Sequence, residues 1–258
     1  MGNFAATTAL FVADSHFCLE PSPAEQRRVA RFLAFLDFAR RADHLVLLGD
    51  IFDFWFDLPH FRLKGYEALL QGLDRVRDAG TLLHFVGGNH DIWAADYLRE
   101  RYGCLGDGSA TTLELGGLRV RLDHGAGFLA RGLLYRLFRS LVRRRAAAMF
   151  AKSLHPEALY AFATWLSGTS RKATRDEVAL IRQRAALKLA AAGDEPWDLL
   201  IIGHVHHAFM AEHGPRRLAC LDGWLDSEGY GVLVGREFAL RDFARDPLPD
   251  LPGSQSAG

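Results

Sequence analysis

Several features that would define a class of protein are scarce in this sequence of 258 residues. Cysteine occurs only three times, at Cys18, Cys104 and Cys220, with no Cys-x-x-Cys pair. This odd, scattered set argues against a disulfide framework and against a thiolate zinc site, so we expect a reducing compartment. No apolar run approaches the roughly 20 residues of a transmembrane helix, and Met1–Leu10 lacks the features of a signal peptide. These absences predict a cytoplasmic protein, either free or bound to a membrane surface.

An excess of charge of either sign is also missing, because 31 Lys and Arg residues balance 31 Asp and Glu residues. The overall charge therefore predicts no partner and argues against nucleic acid as a substrate. Apolar residues make up 49% of the chain and charged residues 24%, as in ordinary globular proteins. We expect one domain over residues 1–245. The Pro-, Gly- and Ser-rich tail, 246–258, is predicted to be disordered.

What the sequence does contain is a series of short apolar runs, each followed at once by polar residues that can bind a ligand. The runs are Ala9–Ala13, His44–Leu48, Leu82–Val86 and Leu199–Ile202. Helical patterns between them cover Ala24–Arg41, about Tyr66–Ala79, and Ile92–Tyr102. Buried strands that alternate with helices favour an α/β sandwich. Ligands in such folds collect at the carboxyl ends of strands, so we expect the polar residues to converge.

The second half of the chain is mixed. Thr111–Leu115 and Leu118–Leu122, separated by two glycines, predict a β-hairpin. A helical region follows over about 128–192, which we interpret as an insertion or cap. Short strands are then expected near Ala208–Glu212, Leu218–Leu221 and Gly231–Val234.

Five polar motifs stand in order along the chain. They are Asp14-Ser15-His16, Gly49-Asp50, Gly88-Asn89-His90-Asp91, Asp123-His124-Gly125 and Gly203-His204-Val205-His206. Carboxylates, imidazoles and an amide oxygen suit Mn²⁺, Fe or Zn²⁺. On an extended strand end, residues i and i+2 point the same way, which would aim both members of a pair such as Asp14 and His16 at one ion. A glycine before Asp50, Asn89 and His204 would let the chain turn out of each strand.

In this order the motifs resemble the calcineurin-like metallophosphoesterase pattern D-x-H, GD, GNHD, H and GHxH. The resemblance implies an αββα sandwich of two mixed β-sheets flanked by helices, with a helical cap insertion. It implies two divalent metal ions, with Mn²⁺ expected, that activate a water for attack on phosphorus. One ion would be held by Asp14, His16, Asp50 and His206, and the other by Asp50, Asn89, His124 and His204.

The same resemblance assigns roles to the rest of the GNHD motif. His90 would contact the phosphate and protonate the leaving oxygen, and Asp91 would orient His90. An equally good interpretation makes Asp91 the N-cap of the Ile92–Tyr102 helix.

A narrower resemblance concerns the substrate. The stretch Asp50–Phe56 is similar to the UDP-2,3-diacylglucosamine diphosphatases of lipid A synthesis, as are Leu154–Pro156, Trp165–Ser167, Ser170–Lys172 and Leu221–Trp224. It implies hydrolysis of the pyrophosphate to UMP and 2,3-diacylglucosamine 1-phosphate. The substrate-binding residues would be Asn89, His90, Ser170, Arg171 and Lys172.

Two parts of this resemblance have simpler interpretations. Ser170–Lys172 can equally be a solvated turn before a helix at Asp176–Ala192. The aromatic residues Phe52, Phe54, Trp55 and Phe56 can wall a lipid or base pocket, or belong to the core.

The chain also departs from the family twice. Ala126 stands where the family usually has Asp, and His90 stands where many members have Arg.

One basic stretch stands out against the balanced charge. From Gly127 to His155 there is no Asp or Glu, and apolar residues alternate at helical spacing with arginines. The arginines expected to face a membrane are Arg136, Arg139, Arg143, Arg144 and Arg145. A basic amphipathic helix can lie on an anionic membrane or roof an acyl-chain groove, or it can simply pack on the core. We therefore expect an acylated nucleotide sugar as substrate, met at the cytoplasmic face of the inner membrane.

Two other functions compete with this one. The chain can be a different phosphomonoesterase or nucleotide phosphodiesterase of the same family. It can also be a metal-binding scaffold without catalysis, but such a protein is expected to have lost ligands, and all seven are intact.

Overall fold

The computed structural model describes residues 6–19, 22–55, 65–108, 110–125, 175–193, 195–246, 248–249 and 251. In this part of the chain the helices are α1 (Pro23–Ala39), α2 (Glu67–Asp78), α3 (Ala94–Tyr102) and α4 (Arg175–Ala191). The first strands are β1 (Thr8–Val12), β2 (His44–Leu47), β3 (Leu82–Val86), β4 (Leu105–Gly108), β5 (Thr111–Leu115) and β6 (Leu118–Asp123). The later strands are β7 (Leu199–Ile202), β8 (Phe209–His213), β9 (Arg216–Cys220), β10 (Gly229–Val234) and β11 (Glu237–Asp242).

The strands form two mixed sheets. The first has the order β11-β10-β1-β2-β3-β4, in which β1 to β4 are parallel and β10 runs antiparallel to both of its neighbours. The second has the order β5-β6-β7-β9-β8, with β6, β7 and β9 parallel to one another. The parallel strands of each sheet therefore carry their carboxyl ends to one edge, where the polar motifs follow.

The alternation of side chains along β1 shows how the layers stack. Leu10 and Val12 pack with Phe35 of α1 and Leu73 of α2 on the outer face of the first sheet. Phe11, on the opposite face, packs with residues of the second sheet. Because both faces of β1 are covered, all five of its residues are buried, and four of them, Ala9–Val12, are apolar.

Helix α4 supplies the fourth layer. Its Ile181, Ala185 and Leu189 are buried against Leu200 and Ile202 on the outer face of the second sheet. The predicted αββα sandwich is thus confirmed. The remainder of the predicted insertion, 128–174, lies outside the described residues, as does most of the 246–258 tail.

The sequence did not predict two of the observed strands, the edge strands β4 and β11. The other described elements match their predicted bounds to within about two residues. The three cysteines are free, as expected. None of the helices in the described part of the chain has the length and apolar character needed to cross a bilayer.

Candidate metal centre

The predicted ligands lie on loops that leave β1, β2, β3, β6 and β7 at the carboxyl edges of the sheets. The first two loops stay paired after their strands end. The amide of Asp14 donates to the carbonyl of Gly49 at 3.0 Å, and the amide of His16 donates to that of Asp50 at 2.9 Å. These hydrogen bonds extend the parallel β1–β2 pairing by several residues, which places the two loops side by side.

The ligand loops do not have the extended backbone that their spacing predicted. Among the described residues, the non-glycine positions with positive φ are all predicted ligands: Asp14 (52°), His16 (45°), Asp50 (51°), His204 (73°) and His206 (51°). The left-handed conformation is uncommon outside glycine and costs free energy, so it persists only where surrounding contacts enforce it. The side chains converge through these left-handed turns rather than through alternation along a strand.

The glycines of the motifs also act differently from one another. Gly49 has φ of +84°, so it does provide the expected turn before Asp50. Gly88 has no such φ, but a Cβ there would overlap the carboxylate and the backbone nitrogen of Asp50. Gly88 is therefore required because two loops approach closely, not because the chain turns.

The side chains form three overlapping groups that can each hold a metal ion. They are Asp14, His16 and His206; His16, Asp50 and His90; and Asp50, His124 and His204. Within each group the ligand atoms all lie within 4.8 Å of one another. Asn89 adds its side-chain amide, whose nitrogen lies 3.4 Å from Nδ1 of His204.

Asp50 occupies the centre of this arrangement. Its Oδ2 lies 3.8 Å from Nε2 of His16 on one side and 3.2 Å from Nε2 of His124 on the other. Its Oδ1 accepts a hydrogen bond from the amide of His90 at 2.9 Å. The carboxylate thus lies between His16 on one side and His124 on the other, which is the position that a ligand shared by two ions requires.

Neighbouring backbone groups orient two of the other side chains. His124 is buried, and its Nδ1 lies 2.9 Å from the carbonyl oxygen of Leu48. Donation to that carbonyl keeps the proton on Nδ1 and leaves Nε2 to bind a metal. Oδ2 of Asp14 accepts from the amide of His204 at 2.7 Å, which joins the β1 loop to the β7 loop.

Burial and mutual proximity shift the pKa values of the central pair. Burial opposes the ionisation of Asp50, but the charge of His124 and its hydrogen bond hold the pKa of Asp50 well below the usual range. Burial likewise opposes protonation of His124, but Asp50 raises the pKa of His124 to about 10. Each group therefore favours the charged form of the other, and a metal ion that binds Nε2 of His124 would compete with a proton there.

The first group is short of positive charge and of hydrogen-bond partners. Burial raises the pKa of Asp14 and lowers the pKa of His16 to about 3. Within the described part of the chain, Oδ1 of Asp14 and Nδ1 of His16 are buried without a hydrogen-bond partner. Buried polar atoms left in this way are costly unless an ion compensates them, so the residues fit a divalent metal centre.

Asp91 has neither of the roles predicted for its side chain. Helix α3 begins at Ala94, its N-cap position is Trp93, and no side chain of the described residues caps it. The fully buried carboxylate of Asp91 instead accepts four backbone N–H groups, those of Gly88 (2.9 Å), Asp50 (3.1 Å), Ile51 (2.8 Å) and Phe52 (3.3 Å). The prediction that Asp91 orients the His90 ring is therefore wrong. Asp91 holds the backbone of the β2 and β3 loops.

The residue that orients His90 is Asp53, which none of the five motifs includes. Nδ1 of His90 lies 2.9 Å from the carbonyl oxygen of Asp53. Oδ1 of Asp53 also lies 3.8 Å from Nδ1 of His90 and 3.8 Å from Nδ1 of His16. The sequence signal that could have identified Asp53 was its position within Asp50–Phe56, the stretch that resembles the narrower family.

Aromatic residues next to Asp53 belong mainly to the core. Phe52 and Trp55 are buried and pack with Tyr66. Phe54 is only partly buried and contacts Trp93 edge to face. The predicted aromatic wall is thus core at Phe52 and Trp55.

The remaining predicted residues lie outside the described part of the chain. They are Phe56, Ala126, the substrate-binding residues Ser170, Arg171 and Lys172, and the membrane-facing residues Arg136, Arg139, Arg143, Arg144 and Arg145.

The fold and the paired metal groups define a metal-dependent phosphoesterase. The family model of calcineurin-like phosphoesterases matches residues 7–208, and the chain belongs to this family. A UDP-2,3-diacylglucosamine hydrolase from Porphyromonas gingivalis is 27% identical over 256 residues, which cover 89% of this chain and 95% of the relative. The enzyme of the same name from Pseudomonas putida is 29% identical over 222 residues, covering 81% and 91%. A solved structure of an archaeal phosphodiesterase is 10% identical, with a TM-score of 0.48 over 92% of this chain and 99% of that one.

Proposed function

We propose that this chain hydrolyses the pyrophosphate of UDP-2,3-diacylglucosamine, releasing UMP and 2,3-diacylglucosamine 1-phosphate. The observation that carries the proposal is the Asp50 carboxylate, placed between two groups of histidines at the carboxyl edges of both sheets. The names of the relatives that match most of the chain support the nucleotide-sugar lipid as the substrate. Two divalent ions, for which Mn²⁺ is proposed, supply Lewis acidity and a nucleophilic water to such a hydrolysis.

The chain's own residues would divide the work as follows. Asp14, His16, Asp50 and His206 are proposed to hold one ion, and Asp50, Asn89, His124 and His204 the other. His90 lies beside His16 and Asp50, with Nδ1 against the carbonyl of Asp53. This contact leaves Nε2 as the nitrogen that exchanges a proton with the substrate, and we assign it to the leaving phosphate oxygen.

The residues proposed to bind the substrate and the membrane are assigned from the sequence alone. Ser170, Arg171 and Lys172 are proposed to bind the phosphates or sugar, and the arginines at 136, 139 and 143–145 to contact anionic lipid at the cytoplasmic face of the inner membrane. Replacing Arg143, Arg144 and Arg145 together should weaken co-sedimentation with anionic vesicles at low salt. Unchanged binding would remove this element and leave the hydrolase proposal intact.

The substrate is tested with purified protein, Mn²⁺ and UDP-2,3-diacylglucosamine in detergent, with UMP release measured by mass spectrometry. The parallel reactions use the unacylated UDP-N-acetylglucosamine, bis(4-nitrophenyl) phosphate and 4-nitrophenyl phosphate. We expect turnover of the acylated substrate to exceed that of the three others. Turnover of the simple esters alone would exclude the proposed substrate and favour a general phosphomonoesterase or phosphodiesterase. Performing the reaction in ¹⁸O-water would show which phosphorus is attacked.

Asp50→Asn tests the metal centre in the same assay. Because Asp50 serves both groups, its loss should lower the rate at least about 10³-fold, which corresponds to roughly 4 kcal/mol of transition-state stabilisation. The matched control is Asp43→Asn, since Asp43 binds Thr8 outside the centre. Equal activity of Asp50→Asn and the native protein would refute the assignment.

A further inference from the structure

One charged side chain contacts the metal loops from outside. Arg28 lies on α1 and is not a candidate ligand, yet its guanidinium donates to the carbonyl oxygens of Ser15, Trp224 (3.2 Å) and His16 (3.3 Å). Its side chain is only 16% exposed, and its guanidinium lies 4.6 Å from the centroid of the Phe17 ring. Arg28 is therefore packed into the wall of the site rather than directed into solvent.

The carbonyls that Arg28 binds belong to two different loops. Ser15 and His16 are on the loop after β1, where both neighbouring ligands, Asp14 and His16, have left-handed backbone. Trp224 is on the loop after β9, which docks on the first loop through the amide of Leu225, a donor to the carbonyl of Asp14 at 3.1 Å. Arg28 thus adds side-chain hydrogen bonds to the contact between the two loops that the backbone hydrogen bond already makes.

The second loop in turn supports His206. A Cβ on Gly223 would lie 3.0 Å from Cγ of the His206 ring and 3.2 Å from Cβ of Asp14, so the backbone at Gly223 packs against both ligands. From the same loop, Oδ2 of Asp226 lies 3.7 Å from Nδ1 of His206. A shift of this loop would therefore move His206 relative to Asp14 and His16.

Glu25 orients Arg28. Its carboxylate accepts from Nη2 of Arg28 at 2.7 Å and from Nε at 3.0 Å, and it also accepts from the amide of Cys18 at 3.1 Å. The Glu25 side chain is 11% exposed. A planar guanidinium can bind a carboxylate with two parallel N–H groups along one edge while its other N–H groups donate to carbonyls, whereas an ammonium has only three N–H groups and no such edge.

We propose that Arg28, oriented by Glu25, is a positioning residue for the group formed by Asp14, His16 and His206. It holds the two loops in register and so sets the affinity of that group for its metal ion, without contacting the ion or the substrate. This inference rests on the metal centre of the proposed function, but not on the identity of the substrate.

The test measures the binding of Mn²⁺ alone to metal-free protein. The concentration of free Mn²⁺ is determined from its electron paramagnetic resonance signal. The variants are Arg28→Met, Arg28→Lys and Glu25→Gln. The control is Arg31→Met, because Arg31 is one turn further along α1 and pairs with the side chain of Glu228 (2.7 Å) at the far end of the loop after β9, but donates to none of the three carbonyls that Arg28 binds. Thermal unfolding of each metal-free protein records changes in stability separately.

We expect Arg28→Met to lower the affinity for one of the two Mn²⁺ ions by about tenfold or more. Arg28→Lys and Glu25→Gln should lower the same affinity by less. The other equivalent, and both equivalents of Arg31→Met, should keep their native affinity. Should Arg28→Met not fold, Arg28→Lys retains the charge and the apolar stem and carries the comparison. Equal weakening of both equivalents, or a lower melting temperature with an unchanged binding curve, would show that Arg28 is only a structural residue.

The two hypotheses fail in different ways. If the native protein binds fewer than two Mn²⁺ ions, the positioning role of Arg28 is refuted together with the centre. If it binds two ions and Arg28→Met weakens one, but UDP-2,3-diacylglucosamine is not hydrolysed, the positioning role stands and the proposed substrate is wrong.

Discussion

The two halves of the candidate metal centre are held by side chains of opposite charge. The half around Asp50, His124 and His204 depends on Asp91, a buried carboxylate that accepts four backbone N–H groups. The half around Asp14, His16 and His206 is bordered by Arg28, a cation that donates to three backbone carbonyls. Loops that turn sharply out of parallel strands leave backbone groups without ladder partners. A loop that points its N–H groups inward needs an anion, and a loop that presents carbonyls needs a cation.

The two charged groups also differ in burial. Asp91 is inaccessible to solvent, and burial, followed by the nearby charge of Asp50, raises its pKa to about 6. Arg28 reaches the site from the outer helix layer and keeps some contact with water. A lost partner can be replaced by water near Arg28 but not near Asp91. We therefore expect the Asp91 half to be the more sensitive one.

The largest effect is expected for Asp91→Asn. The amide group keeps the shape of the carboxylate but turns one acceptor into a donor that faces backbone N–H groups. At pH 8, the free energy of unfolding should fall by about 3 kcal/mol, and the Mn²⁺ equivalent of the Asp50, His124 and His204 group should be lost. Urea denaturation of the metal-free protein and Mn²⁺ titration measure the two effects.

The control for this variant is Asp96→Asn on α3, which removes an exposed ion pair with Arg99. Its effect should stay within about 0.5 kcal/mol. Native stability in Asp91→Asn would mean that the four N–H groups find other partners.

Two glycine substitutions should each perturb one half of the candidate metal centre. In Gly88→Ala the new Cβ would overlap Asp50, so the two loops must separate, and activity should fall at least about 100-fold. In Gly223→Ala the nearest atoms are 3.0 to 3.2 Å away, in His206 and Asp14. A small shift can relieve that contact, so a loss of about tenfold is expected, confined to the Arg28 half. Rates and Mn²⁺ isotherms of both variants provide the measurement.

Gly214→Ala separates steric contact from backbone strain. Gly214 has φ of +58°, but apart from its two chain neighbours no residue of the described part of the chain has an atom within 4 Å of the position that a Cβ would take. The substitution should cost about 1 kcal/mol of stability and leave metal binding unchanged. A loss of metal in this variant would show that general destabilisation, not local contact, explains the other two.

The effect that is smallest at pH 8, and that grows only in acid, concerns the sheet away from both halves. Nδ1 of His44 on β2 lies 3.0 Å from Nε2 of His84 on β3, and burial, followed by the charge of His44, lowers the pKa of His84 to about 4. An unfolded histidine titrates near a pKa of about 6.5, so between about pH 6.5 and 4 the unfolded state binds more protons and the folded state loses stability as pH falls. At pH 8 this contribution is absent.

Between pH 7 and pH 4, the free energy of unfolding of the native protein should therefore fall by up to about 3 kcal/mol more than that of His84→Gln. Urea denaturation across this range, on metal-free protein, measures the difference. His213→Gln, at an exposed histidine of β8, is the control. Parallel pH curves for His84→Gln and the native protein would contradict the prediction.

Much of the fold was predictable because the central strands are buried on both faces. Leu82–Val86 and Leu199–Ile202 were predicted at their observed bounds, since a short apolar run between turn signals has few alternatives. The edge strands β4 and β11 were missed. Leu105–Gly108 contains two glycines and an aspartate, and Glu237–Asp242 is mostly half-exposed, so neither shows the pattern of a buried strand.

The convergence of the candidate ligands was predictable from the sequence, but the geometry of their loops was not. The order of carboxylates, histidines and one asparagine indicated the chemistry, because these donors at strand ends suit divalent metals. The left-handed turns at Asp14, His16 and Asp50 carried no local signal, since tertiary contacts enforce them. Asp53, and not Asp91, orients His90, because that role depends on which loop each side chain reaches.

The sequence by itself determined the order of apolar strands and the donor atoms that follow them, because burial and metal chemistry restrict those residue types wherever the chain leads. Only the tertiary structure decided how the donors are held. Arg28 resembles any solvated arginine of an amphipathic helix, and it meets the carbonyls of Ser15 and Trp224 only because the α1 layer packs over the loops after β1 and β9. Hydrogen bonds between residues 196 positions apart leave no periodic trace in the chain, so they appear only once the layers are assembled.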